Sequence, residues 1–590
     1  MASRAIGRAV GALAAAALLV PSAHAQDTTR TSADSARRAA ADSTRKPVAC
    51  DGQRIDYIAV NSSAPSIAIF RRVPVLAEIA RSIHITTKPD LIRRFLLLEE
   101  GRPCTELRRT ESERILRAQP YIADASVLAF ANDRGGVNIE VRTSDEVSVI
   151  AGVSVSSGSP YLTALRGGNS NLNGLGIYAG ANWRHNDVFR NGYGFRFADY
   201  QLFGRPYIFA TQLQRDPLGD RWNVESAHPF LTDLQRIAWG AHTGRSNEYA
   251  YFEPTGAGNH AVLRNRHYFD VGGLVRLGPP GRLSLFGASL SGEREVSADS
   301  AVLVTPTGLL PDTSSIFFNR YPPHRFARIN ALWGVRDIDF VSVEGFDGLT
   351  ARQDIPVGFQ LGTLFGRSLS VLGATDDDIF MSADLYVGAA NRRAALRVQL
   401  QGEGRRANDQ DVWDSILTGG RIAQYLKLSS AQVAVLAAEW SGGWRVQTPF
   451  VLTLGEEPGG VRGFGSSTTP GGQRAILRFE DRVFVGRPFG LADAGVGFFA
   501  DAGRLWAGDV PYGTSTPVRA SLGLSVLGAV PPRSARLWRL DVAFPLNPEG
   551  RGTVEFRIVS VDRSTFFWRE PRDLRFSREQ SVPSSIFNWP

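Results

Sequence analysis

From about residue 147 onward the chain is written in segments of roughly eight to ten residues that alternate apolar and polar side chains, with turns and long polar loops between them. In Arg536–Phe544, Trp538, Leu540, Val542 and Phe544 take one face while Arg539 and Asp541 take the other. Thr553–Ser560 sets Val554, Phe556 and Ile558 against Glu555 and Arg557. Likewise Ala394, Leu396, Val398 and Leu400 oppose Arg397, Gln399 and Gln401, and Ala520, Leu522, Leu524 and Val526 oppose Arg519, Ser521 and Ser525. Side chains on a strand point to opposite faces with period two, so each segment asks for an apolar medium on one side and water on the other. A soluble sandwich also alternates. Charge on the polar face, with aromatics at predicted strand ends (Tyr386, Trp506, Trp538 and Trp568), favours a barrel in a bilayer. Some 420 residues at about 25 per strand with its connection predict an all-β transmembrane β-barrel of about 16 antiparallel strands over residues 147–568, followed by a tail, 569–590.

The start of the chain is consistent with export. Arg4 and Arg8 precede the apolar run Ala9–Val20, and Ala23-His24-Ala25 supplies the small residues that signal peptidase reads, so residues 1–25 are expected to be a cleaved signal peptide. That run falls short of the ~20 residues a spanning helix needs. Residues 26–50, rich in Asp, Thr, Ser, Ala and Arg, read as a disordered linker. Sixty glycines and 10% aromatics beside two methionines suit a barrel better than a helical membrane protein. The net charge of +8 is spread along the chain, which argues against nucleic acid as a partner.

Residues 51–146 carry the pattern of a small α+β domain. Ile55, Tyr57 and Ala59 alternate in a first strand, and Ile67 and Ile69 continue an extended segment. A helix is predicted from Thr87-Lys88-Pro89-Asp90, with Thr87 as cap, Pro89 in the first turn and Asp90 near the positive end. Its stripe is Leu91, Ile92, Phe95, Leu96 and Leu98, and Gly101 stops it. A second helix runs from about Thr105 through Leu107, Ile115 and Leu116 to Pro120. Strands Ala125–Ala131 and Val137–Arg142 follow, joined by the hairpin Asn132–Gly136. The two cysteines, Cys50 and Cys104, either pair in an exported protein, closing a loop of about 54 residues for about 3–4 kcal/mol, or remain free thiols. Without a nearby histidine pair they make a poor metal site.

The loop Gly455–Gly472 places Val461, Arg462, Gly463 and Phe464 among Gly459, Gly460 and Gly465. Glycines let backbone turn sharply and approach a wall, and an arginine fork can hold a carboxylate by two bonds. In the strand after the loop, Arg478, Glu480 and Arg482 share a face opposite Leu477, Phe479 and Val483. In the next, Phe499, Asp501 and Gly503 share a face opposite Phe498 and Ala500. Glu480 and Asp501 are therefore both predicted to point into the lumen, where Arg462 would arrive.

Two resemblances rest on these residues. The order strand, helix, helix, strand, strand, with Glu100-Gly101-Arg102-Pro103, Ile115–Ala125 and Val137–Arg142, resembles a polypeptide-transport-associated (POTRA) domain. The Val461-Arg462-Gly463-Phe464 loop, with Phe499–Trp506 and Arg539–Leu546, resembles the BamA/TamA superfamily of outer-membrane barrels, which includes the transporters of two-partner secretion. Asn169–Gly176 matches that family's first barrel hairpin. The resemblance implies a 16-stranded barrel in the outer membrane of a Gram-negative-type bacterium with its N-terminal domain in the periplasm, a contact of Arg462 with Asp501, and a lumenal glutamate aligning with Glu480 or Arg478. It also implies work on unfolded outer-membrane or secreted polypeptides at the lipid bilayer, with periplasmic or lipoprotein accessory factors. The implied functions are barrel insertion through a weak seam between the first and last strands, polypeptide export of the two-partner type, or a passive pore. The chain departs from the family in having room for one POTRA domain and in carrying a tail beyond Trp568.

Catalysis finds little support. No Gly-x-Ser-x-Gly elbow occurs, the eight histidines form no metal-binding pair at helical spacing, and no cofactor is expected. Asp376-Asp377-Asp378 and Asp409-Gln410-Asp411 read as solvated charge rather than calcium ligands.

Overall fold

The computed structural model describes residues 46–64, 86–155, 162–185, 191–253, 258–305, 307–408, 412–455, 459–465, 467–534, 536–546, 554–562, 568 and 570–579. The expected signal peptide, residues 26–45 of the linker, Ile67, Ile69, Asp409 to Asp411 and the tail beyond Glu579 lie outside them. Two compact units are present: one holds the described residues up to Ala59 with Glu99–Glu106 and Leu128–Glu140, the other the remainder.

The N-terminal elements are β1 (Asp51–Ser63), α1 (Pro89–Arg93), β2 (Pro103–Thr105), α2 (Glu106–Ala118), β3 (Ile122–Ala131) and β4 (Val137–Asp145), with sheet order β2-β1-β4-β3. In the first unit Gly101 donates to the Ile55 carbonyl (2.7 Å), and Cys50 and Cys104 form a disulfide. The Asn132–Gly136 turn forms as expected, the Asn132 side chain accepting from the amides of Arg134 and Gly136 (3.0 Å each). Two expectations are corrected. The first helix is a single short turn ending at Arg93, and Lys88 rather than Thr87 stands at its N-cap. Thr87 serves a different pair: its amide donates to Asp145 (2.6 Å), and its hydroxyl accepts from Asn171 (2.8 Å). The predicted stripe still buries Leu91, Ile92, Phe95 and Leu98, because those residues are needed as core whether or not the backbone stays helical.

The second unit contains a closed antiparallel barrel. Its strands are β5 (Val149–Val155), β6 (Leu162–Asn169), β7 (Ile177–Arg184), β8 (Gly192–Asp199), β9 (Ile208–Asp216), β10 (Gly219–His228), β11 (Ile237–Phe252), β12 (Asn259–Leu277) and β13 (Arg282–Ser297). A hairpin of β14 (Val302–Thr305) and β15 (Gly308–Pro311) follows. Then come β16 (His324–Glu344), β17 (Arg352–Ser368), β18 (Asp378–Ala390), β19 (Ala394–Ala407), β20 (Trp413–Lys427) and β21 (Gln432–Trp444). The wall ends with β22 (Gln473–Gly486), β23 (Asp493–Trp506), β24 (Arg519–Ala529), β25 (Arg536–Pro545) and β26 (Glu555–Asp562), which closes against β5.

Among the described residues the closed sheet has 22 strands; β13 pairs directly with β16, so setting aside the β14–β15 hairpin leaves 20 in the wall. The expected number, about 16, is too low for a local reason. Strands β7 to β10 are only 8 to 10 residues long, and β5 to β10 crowd into residues 149–228, where a spacing of about 25 counts about three strands instead of six. Asn169–Gly176 accordingly joins the second and third wall strands rather than forming the first hairpin. Wall height varies strongly, from 21 residues in β16 to 8 in β7 and β8.

The period-two pattern sorts as expected. Leu540, Phe544, Phe556, Ile558, Leu522, Leu524, Val526, Leu396 and Leu400 are exposed on the outside, while Arg539, Asp541, Ser521, Ser525 and Arg397 are buried inside. An apolar outer belt around a polar lumen is the surface of a membrane-spanning barrel. No helix among the described residues is long and apolar enough to cross a membrane. Two of the aromatics expected at strand ends are corrected: Trp568 lies beyond β26 and meets Tyr386 edge-on (5.9 Å) and the Arg397 guanidinium (4.2 Å), so both rings serve the lumen. After the wall, α3 (Arg572–Ser577) lies inside the barrel.

Candidate functional site

The lumen is filled by two segments from the chain's last third, a loop and the tail. Between β21 and β22 the connection turns inward. Leu452 bridges Gly471, and Gly460 packs so closely that a Cβ there would lie 2.1 Å from the Leu454 carbonyl oxygen. Gly463 has φ +84°, which a residue with a side chain adopts only with strain. This turn carries Val461 and Phe464 into an apolar cluster with Leu417, Phe450, Leu454, Ile476 and Leu505. It leaves Arg462 aimed at the wall.

Arg462 donates from Nε to Asp501 Oδ2 (2.7 Å), from Nη2 to Asp501 Oδ1 (2.7 Å) and from Nη1 to Glu480 Oε2 (2.6 Å). Its guanidinium lies over the Phe499 ring at 3.7 Å, and Phe499 fits there because Gly523, on the neighbouring strand, has no side chain: a Cβ would meet the ring at 2.1 Å. The Arg462 carbonyl accepts from Ser521 (2.6 Å). Strand parity explains the convergence, since Arg474, Ile476, Arg478, Glu480 and Arg482 alternate inward on β22, and Phe499, Asp501 and Gly503 on β23.

Glu480 is the hub. It also accepts from Arg539 (2.8 and 3.0 Å) and from Arg482 (2.6 Å), and Arg539 reaches Asp541 at 3.1 Å. Three guanidinia, those of Arg462, Arg482 and Arg539, thus face three carboxylates, those of Glu480, Asp501 and Asp541. Ion pairs withdrawn from water to this degree hold only where charge balances and every donor has a partner. Arg478, the other residue that could align with a lumenal glutamate, instead donates to the Gly459 and Gly460 carbonyls (2.8 Å each) and so supports the same loop. The Gly465 amide donates to Glu555 of the last strand (3.1 Å).

The sequence did not point to the second insertion. Asp573 accepts from Arg474 (2.6 and 3.0 Å), and Leu574 is buried in the same apolar cluster as Val461 and Phe464. The available signal was Leu574 and Phe576 set among Asp573, Arg578 and Glu579 beyond the last alternating segment.

One group has metal-ligand proximity among the described residues, Glu293, Glu295 and His324. Arg266 already holds Glu293 (2.6 and 2.7 Å) and Arg264 holds Glu295 (2.6 Å), so its charge is met by guanidinia. Asp378 is likewise paired with Arg328 (2.6 Å) and Asp376 with Arg405 (3.4 Å).

No protein-family profile and no curated protein matches the chain. Among solved structures it is similar to BamA from Haemophilus ducreyi lacking POTRA domains 1–3, with 11% identity and TM-score 0.38 over 86% of this chain and 84% of that one. It is also similar to CdiB from Escherichia coli (12%, 0.42, 92% and 100%) and CdiB from Acinetobacter baumannii (10%, 0.41, 86% and 74%). The fold rests on the strand pairing above, which defines a membrane-spanning β-barrel closed internally by its own chain.

Proposed function

We propose that the chain is an outer-membrane assembly factor that inserts polypeptides into the bilayer beside its closing seam. The observation that carries this reading is the height of the wall near the seam, at β7 and β8. At about 3.4 Å per residue, each provides about 27 Å of strand, and a tilt of about 40° reduces that to roughly 21 Å across the membrane. An apolar belt is normally about 25 Å tall. Lipid beside these strands must thin to match them. An incoming strand would find unpaired donors and acceptors at the opened edge, which lipid cannot satisfy. The Arg462 network, as part of the resemblance to the BamA/TamA superfamily, supports the same reading by holding the inner loop rigid against β22, β23 and, through Gly465, β26.

A disulfide engineered between β5 and β26 tests this. Locking the seam is expected to stop assembly of other barrels in cells depleted of the native chain; assembly continuing with the seam locked sinks lateral insertion. A second reading, export through the lumen, draws on the peptide segment the lumen already holds. It predicts that the locked chain still moves its client.

A further inference from the structure

Residues 570–579 cross the lumen as a bound peptide. Their partners come from six wall strands: Arg221 on β10, Arg266 on β12, Arg328 on β16, Glu403 on β19, Leu417 on β20 and Arg474 on β22. Asp573 is gripped by Arg474, and Leu574 enters the apolar cluster, where Gly419 leaves room: a Cβ at 419 would sit 2.8 Å from the leucine. Phe576 lies under the Arg221 guanidinium at 4.3 Å. Arg578 pairs with Glu403 (2.9 Å), and Glu579 with Arg328.

Several of these bonds read backbone rather than side chain. Arg266 donates to the carbonyls of Phe576 (3.1 Å) and Arg578 (2.8 Å), and the Glu579 amide donates to Glu403 (3.0 Å). A surface that grips main chain, two carboxylates and one leucine-sized side chain accepts other segments of similar chemistry. The anchoring groups on the wall belong to the barrel itself and remain when the segment leaves.

We propose that the lumen contains a polypeptide-binding site whose resident ligand is the chain's own segment Glu570–Glu579, a plug that a segment of another chain, with a carboxylate followed by a leucine-sized residue and an aromatic, replaces. This goes beyond the insertion reading, which concerns the seam and stands or falls separately. The plug also touches the inner loop: Pro571 packs on Gly459, and Arg474 holds both Asp573 and the Thr453 carbonyl (2.7 Å). Release of the tail therefore strips one side of the loop's packing.

The test compares the full chain with a chain ending at Trp568 in planar bilayers and adds a synthetic peptide of residues 568–579. The shortened chain is expected to conduct several-fold more than the full chain, and the peptide to restore the low level. A Leu574→Ala peptide is expected to need about thirtyfold more or greater, which is about 2 kcal/mol, the low end for losing a buried leucine. Equal conductance of the two chains, or equal block by both peptides, overturns the proposal. Should the shortened chain fail to fold, the full chain carrying Gly419→Cys and Leu574→Cys, with Cys50→Ser and Cys104→Ser, serves instead. Fluorescent peptide is expected to bind it when reduced and to be excluded when oxidised, and binding unaffected by the lock also overturns the proposal. Neither measurement involves barrel assembly in cells, so the two readings fail independently.

Discussion

Replacing Arg462 by alanine tests the inner loop most directly. The network balances three positive against three negative groups, and the substitution leaves it one short. Glu480 keeps Arg482 and Arg539, but Asp501 loses both side-chain bonds at 2.7 Å while staying buried. Breaking a buried pair from one side costs about 3–5 kcal/mol, and Arg462→Ala belongs in that range. Asp501→Ala falls at its lower end, because Arg462 retains Glu480 at 2.6 Å. The double alanine variant restores neutrality, so its cost is expected to be about 1–3 kcal/mol less than the sum of the singles. It is a cleaner control than reversing both charges, which sets a carboxylate at position 462 against Glu480. Urea unfolding of the barrel in lipid vesicles, followed by tryptophan fluorescence, gives the three values, and limited proteolysis of residues 455–472 reports the loop itself. Costs that add to within about 0.5 kcal/mol refute direct pairing.

Gly460→Ala is expected to expel the loop more completely than Gly463→Ala, since the first clashes with backbone at 2.1 Å and the second incurs only the strain of φ +84° with a contact at 3.1 Å; equal protease sensitivity of the two variants argues otherwise. Replacing both Cys50 and Cys104 by serine is expected to lower the stability of the first unit by about 3–4 kcal/mol, read by amide exchange in β1 and β2, with little change in β22 and β23. Asp145 carries a pH dependence: burial, outweighing its bonds from Thr87 and Ser62, raises its pKa from 3.8 to about 6. The folded state then binds more protons than the unfolded between those values, so stability is highest below about pH 4 and falls by up to about 3 kcal/mol as pH rises to about 6, then levels off. Protection of the Thr87 amide, corrected for intrinsic rate, is expected to decline across that window in the native chain and to stay flat in Asp145→Asn.

What could be read from the sequence follows what is local. Which face of β22, β23 and β25 looks inward needs only parity, so Glu480 and Asp501 could be placed before any coordinates, and glycines around Arg462 mark backbone that must pass close to something. Arg539 stood on a polar face, but its bond to Glu480 spans 59 positions and no spacing rule connects them. Strand number depends on strand length, which runs from 8 residues in β7 to 21 in β16, so an average spacing misjudges the seam side most. An aromatic near a strand end satisfies either the interface or the lumen, which is why Tyr386 and Trp568 read wrongly. The plug was hidden for a related reason: Arg266 meets the Arg578 carbonyl across 312 positions, and a short segment with one leucine and one phenylalanine has no periodicity to show.

The strand number makes the plug intelligible. Barrel diameter grows with strand number: about eight strands can be filled by side chains alone, 16 to 18 leave a channel, and about 22 enclose a plugged lumen. A wall of 20 strands cannot be closed by its own inward residues, however large, and must either conduct or be filled by chain. Among the described residues two insertions share one apolar cluster, Val461 and Phe464 from the loop and Leu574 from the tail, each fixed to the wall by an arginine–aspartate pair. The pairs differ in polarity. The loop supplies its arginine to Asp501 on the wall, whereas the tail supplies its aspartate to Arg474. Exchange of the tail for another segment therefore leaves a wall arginine seeking a carboxylate and leaves the loop's own lock untouched, which allows the lumen to change occupant without dismantling the barrel that holds it.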